Sequence, residues 1–182
     1  DLLGVLKADT AFFYIDADEE MPVAEEFVKK AKEFGAIPAY AYLGDVGDSV
    51  TGDKKAAKFE DDFLDQLIEE IKKIGFLAVA YMPTRNTPKQ LERIMKLCRD
   101  NNLFEISGED INSSRQKFAC AALALPEYAH LIESTWALIG HEAISTEKGI
   151  EYGMFADKTI ARLPSLADRI AEFAAIGRKT VK

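Results

Sequence analysis

"FLAVAYMPTRNTP" (76–88) is the stretch on which the fold turns. Its first seven residues carry no charge. A run this short and this apolar is the pattern of a strand covered on both faces. Pro83, Thr84, Arg85 and Asn86 then make a turn, with Thr87 placed as an N-cap and Pro88 at the first helical position, where a missing N–H costs nothing. The helix so opened runs to about Asn102.

Working outward, the same alternation recurs. Upstream, "KFEDDFLDQLIEEIKKIG" (58–75) predicts a helix with Phe59, Phe63, Leu67, Ile71 and Ile74 as its apolar stripe and Gly75 at its end. Before it come a Gly- and Asp-rich loop (43–55), a strand "AIPAYAY" (36–42), a helix over 19–35 and a strand "AFFYI" (11–15). In that first helix Pro22 falls in the opening turn, Val23, Phe27, Ala31 and Phe34 share a face, and Gly35 is the C-cap. Downstream, "LFEIS" (103–107) reads as a fourth strand. A helix follows from Ser113 to about Leu125, with Ser113 and Gln116 at capping-box spacing. The part from 126 to 182 is mainly helical: one helix from Pro126 to near Gly140, and a last one over 165–179, capped by Ser165 and closed near Gly177.

Strands separated by helices predict an α/β fold, a parallel β-sheet with alternating helices and crossover connections. The 182 residues suit a single domain. In such sheets functional groups gather beyond the carboxyl ends of the strands. That rule selects "DADEE" (16–20), the 43–55 loop, "PTRNTP" (83–88) and "GEDINSS" (108–114).

Within these loops Arg85 and Asn86 are candidates for binding substrate, Arg85 through a planar fork suited to phosphate or carboxylate. Asp110 is a candidate ligand of a hard cation, assisted by Glu109 or Asn112. The same turn is equally suited to capping the following helix, with its acids near the positive end. Asp45 and Asp48 are candidates for a cation at the sheet edge, or members of a solvated loop. His130 and His141 are the only histidines. On one helix, eleven residues would part them by roughly 16 Å, too far to share a metal, and each is expected to be a structural or a surface residue.

Net charge is −8 and the pI about 4.9, so nucleic acid is excluded as a partner. No apolar run is long enough to span a bilayer, and no signal-peptide pattern opens the chain. Cys98 and Cys120 lie far apart with no Cys-x-x-Cys pair, which favours reduced thiols and a cytoplasmic location. The opening "DLLGVLKADT", without Met, reads as a start within a longer protein.

Three segments, "KEFGAIPAYAYLGD" (32–45), "IKKIGFLAVAYM" (71–82) and "LCRDNNLFEISGEDIN" (97–112), together resemble the polymerase and histidinol phosphatase (PHP) superfamily. The resemblance implies a C-terminal portion of a distorted (β/α)7 TIM-like barrel and a metal-dependent phosphoesterase, a hydrolase using Zn, Mn or Mg on a small-molecule substrate such as a phosphate ester. It places Asp110 among the metal ligands. It also shows departures: Tyr42 stands where the family's A-H-P histidine would fall, Asn112 replaces the histidine of its Asp-x-His, and the opening H-x-H is absent. These suggest a fragment not active alone, with two alternatives: a non-catalytic relative binding a small anionic or sugar-like ligand, or a scaffold module whose open sheet edges drive homo-oligomer formation.

Overall fold

The computed structural model describes residues 2, 5, 9, 11–12, 15–47, 56–109, 111 and 119–181. In chain order its elements are α1 (Ala17–Glu20), α2 (Ala24–Glu33), β1 (Ala39–Ala41), α3 (Leu64–Ile74), β2 (Ala78–Tyr81), α4 (Pro88–Asp100), β3 (Phe104–Ser107), α5 (Ala129–Lys148), α6 (Asp157–Arg162) and α7 (Leu166–Thr180). Short 3-10 turns lie at Asp61–Phe63, Ala121–Ala124, Pro126–Tyr128 and Ile150–Tyr152.

The sheet is parallel, as the alternation predicts, in the order β1-β2-β3. Ala39 pairs with Ala78, and Ala78 with Phe104. Side chains alternate between its faces. Tyr40, Tyr42, Val79 and Tyr81 point to one, where Leu64, Ile68 and Ile71 of α3 and Leu91, Ile94 and Cys98 of α4 complete a core. Ala39, Ala78, Phe104 and Ile106 point to the other, against Ala137 of α5, Met154, and Phe173 and Ala174 of α7. The wholly apolar 76–82 segment is thus covered on both sides, and the molecule is a three-layer sandwich of helices, sheet and helices.

Helix boundaries follow local chemistry. Thr87 caps α4 in a complete capping box with Gln90, with Pro88 at the first position, as expected. Ser165 caps α7 by accepting from the Asp168 N–H. Gly35 and Gly75 follow α2 and α3 at positive φ (73° and 100°).

Several expectations are corrected. Ala11 and Phe12 form a turn, Phe13 and Tyr14 lie outside the described residues, and no described residue pairs with the free edge of β1. An apolar run becomes a strand only where a partner strand satisfies its backbone. The helix expected over 19–35 is broken at Met21–Val23, because Pro22 disfavours helical backbone in the residue before it. Of its expected apolar face, Val23, Phe27 and Phe34 are exposed, and α2 buries Val28 instead. On α3 the buried stripe is Leu64, Ile68 and Ile71, with Phe59 and Phe63 exposed, because the α-helix starts only at Leu64 after a 3-10 turn.

The helix expected to end near Gly140 continues to Lys148, and α7 runs through Gly177 to Thr180. The two glycines face each other. A Cβ on Gly140 would lie 1.9 Å from the Phe173 carbonyl oxygen, and one on Gly177 would lie 2.1 Å from that of Trp136. They are there for close backbone approach, not for helix termination. Of the helix placed at 113–125, residues 113–118, Ser113 and Gln116 among them, lie outside the described residues, and Ala121–Ala124 form a 3-10 turn.

Candidate functional site

The carboxyl ends of the strands are stitched together by side chains that recognise backbone. Asn86 is 6% exposed. Its Oδ1 accepts from Met82 N at 2.9 Å and its Nδ2 donates to Leu43 O at 2.7 Å, tying the loop after β2 to the loop after β1. Gly108 N donates to Tyr81 O at 2.9 Å, carrying β3 pairing into the third loop. There Thr84 Oγ1 donates to Glu109 Oε2 at 2.6 Å. The three loops therefore form one polar rim, with Arg85 between Thr84 and Asn86.

Beside the rim lie three carboxylates, Asp45, Glu60 and Asp61. Each is engaged. Asp45 Oδ1 accepts from the N–H groups of Phe59 (2.7 Å) and Glu60 (3.2 Å), which opens the 3-10 turn before α3. Glu60 accepts from Leu43 N (2.7 Å) and Gly44 N (2.9 Å) on one oxygen, and from the Tyr40 hydroxyl (2.7 Å) on the other. Asp61 accepts from the Tyr42 hydroxyl (2.5 Å), Asp45 N (3.1 Å) and Gln90 Nε2 (2.7 Å). Burial by itself would raise the Asp61 carboxyl. The hydrogen bonds from Gln90, Tyr42 and Asp45 N outweigh it and hold the group below its ordinary value. Burial, with these acids adding to it, pushes the Tyr40 and Tyr42 hydroxyls well above theirs. This is a clasp that locks the loop after β1 onto α3 and α4, with each of its three carboxylates accepting from protein donors.

The predicted site residues divide accordingly. Asn86 is at the rim, but both ends of its amide serve backbone groups. Arg85 is at the rim with its side chain half-buried. Glu109 is exposed beside Thr84 and near Cys120, whose thiol is raised by burial first and by Glu109 second. Asp110, Asn112 and Asp48 lie outside the described residues. Asp45 is half-buried in the clasp. Among the described residues no three His, Cys, Asp or Glu side chains come together to hold an ion. Of the donors proposed after β3, Glu109 alone is described, and one carboxylate does not make a site for Zn, Mn or Mg.

The two histidines do share one helix, α5, and serve different ends. His141 Nδ1 accepts from Met154 N (2.9 Å), so Nε2 carries the proton and donates to Gly35 O at 2.9 Å. Burial lowers its pKa. It is a structural clamp, as expected.

His130 is different. Its Nε2 stands 2.8 Å from the Tyr81 hydroxyl, which lies 2.8 Å from Glu105 Oε2. Sequence reasoning missed this Tyr81–Glu105–His130 cluster. The one legible signal was Glu105 itself, a carboxylate inside the apolar strand "LFEIS". Its partners come from two other elements. Tyr81 stands 24 residues before Glu105 and 49 before His130, separations that no spacing rule connects.

Comparison with protein-family models, curated proteins and solved structures found no match. No helix among the described residues is long and apolar enough to cross a membrane.

Proposed function

We propose that this chain is the sheet-and-helix portion of a PHP-like hydrolase, part of a distorted (β/α)7 barrel, and that it binds a small phosphate ester at the carboxyl edge of its sheet. The observation that supports this is the stitched rim. Three parallel strands end in polar loops joined through Asn86 and through Thr84–Glu109, with Arg85 between Thr84 and Asn86 in the chain. Such an edge is where α/β sheets bind their ligands. Arg85 is the proposed phosphate-binding group. The described residues carry the substrate-binding part of this reading, and the metal-dependent step rests on the ligands proposed after β3. Glu109, Asp110 and Asn112 remain the proposed ligands in a complete barrel.

The second reading, a non-catalytic relative that binds a small anionic or sugar-like ligand, is favoured by a separate observation. Tyr42, at the position of the family's histidine, is bound to Asp61 as part of the clasp. A phosphomonoester such as p-nitrophenyl phosphate separates the two. Turnover that requires Zn, Mn or Mg and is lost in Asp110→Ala supports the hydrolase. Saturable binding of inorganic phosphate without turnover, weakened about tenfold or more in Arg85→Ala, supports the binding domain. Phosphate binding unaffected by Arg85→Ala removes the rim from both readings.

A further inference from the structure

A cavity of about 440 Å³ opens between α4, β3, α5 and α7, on the side of β3 away from β2. Its apolar walls include Cys98, Leu103, Leu166 and Ile170. Its size suits a small organic ligand. Glu105 lines it, and that side chain is only 12% exposed.

The two oxygens of Glu105 are not equivalent. Oε2 accepts the Tyr81 hydroxyl at 2.8 Å and lies 3.4 Å from His130 Nε2. Burial first, and the Glu105 charge next, push the Tyr81 hydroxyl far above its ordinary pKa, so it stays a donor. Because its hydroxyl proton is donated to Glu105 Oε2, the Tyr81 oxygen accepts from His130 Nε2–H at 2.8 Å. Oε1 receives no hydrogen bond from any described residue. Glu105 is not among the buried side chains left without a partner, so no unmet burial cost attaches to Oε1; its charge at a mostly apolar wall nonetheless attracts a cation more strongly than one surrounded by water. The other charges at the cavity do not rival it. Glu133 is paired with Arg178, and Arg99 is exposed, where water screens it.

We infer that this cavity binds a small primary amine with an aromatic or branched apolar body, the ammonium pairing with Glu105 Oε1 and the body lying on Leu103, Leu166 and Ile170. The site is separate from the rim and independent of the phosphate ester proposed there. Benzylamine, benzyl alcohol and benzoate, titrated calorimetrically into the whole chain, test it. Benzylamine is expected to bind at least about tenfold more tightly than either of the others. Glu105→Gln keeps the shape and a partner for Tyr81, and is expected to weaken benzylamine about tenfold or more while leaving benzyl alcohol within about twofold. Ala171→Phe, at an exposed position of the lining, is expected to block both without disturbing the core. Benzoate binding as tightly as benzylamine, benzylamine insensitive to both substitutions, or no benzylamine binding would each overturn the inference.

Discussion

Replacing Gly140 by Ala sets two effects of opposite sign against each other. Within a helix the change is favourable by about 1 kcal/mol, since alanine restricts the unfolded chain and forms helix more readily. Against it stands the contact with α7. The added Cβ would lie 1.9 Å from the Phe173 carbonyl oxygen and 2.8 Å from its carbon. Both are backbone atoms, so no rotamer change relieves the overlap. Non-bonded heavy atoms settle at roughly 3.5 Å, so α7 has to retreat by more than about 1 Å. Phe173 and Ala174 are fully buried against Ala78 and Phe104, and a retreat of α7 loosens that whole layer. Overpacking of this kind costs about 3 kcal/mol at the upper end of the usual range. The net expectation is a loss of about 2 kcal/mol, seen as a lower urea midpoint and a Tm lower by about 4–8 °C for a chain of this size. Gly177→Ala should behave alike, its Cβ meeting Trp136 O at 2.1 Å. The double variant should cost less than the sum, since one separation of the helices relieves both overlaps. A midpoint unchanged or raised in Gly140→Ala would refute the close crossing and leave helix propensity as the larger of the two effects.

Two further outcomes follow from the polar clamps. His141 is held half-buried as the neutral Nε2–H tautomer, and its pKa is lowered by that burial. The unfolded chain therefore binds the proton more readily. The stability His141 contributes is present above the unfolded value of about 6.5 and is lost as pH falls through the lower folded value. Denaturation of wild type and His141→Gln at pH 8 and pH 5 should show a smaller acid loss in the variant; equal losses would exclude His141 from that limb. Glu60→Ala should cost about 2–4 kcal/mol in urea unfolding, because it strips Leu43 N, Gly44 N and the Tyr40 hydroxyl of their acceptor together. A cost below about 0.5 kcal/mol would show that water replaces the carboxylate and that the clasp is not structural.

The sheet was legible in the sequence because its signal is local. The uncharged run at 76–82, the Thr87–Pro88 start and the Gly75 stop each state their structure within a few residues, and β2, α4 and α3 appear where they direct. The glycines at 140 and 177 mislead for the complementary reason. A helix-ending glycine and a helix-crossing glycine look the same along the chain. Only the partner 37 residues away, which the chain order does not reveal, tells them apart. At the first predicted strand the described residues Ala11 and Phe12 form a turn, because pairing is a property of two segments and not of one.

The acids were harder still, since composition marks them all as possible ligands and only the count of donors around each one sorts them. Asp45, Glu60 and Asp61 sit beside the predicted carboxyl edge, where a functional reading is most tempting, yet every one accepts from backbone or tyrosine donors and holds the loop in place. Glu105 sits mid-strand, away from the loops the topology rule selects, and keeps an oxygen at a cavity wall. Proximity to the carboxyl edge is therefore a weaker guide to function in this chain than the balance of donors. A carboxylate surrounded by N–H groups has already been used by the fold, and one that keeps part of its charge open to a cavity still has binding energy to give.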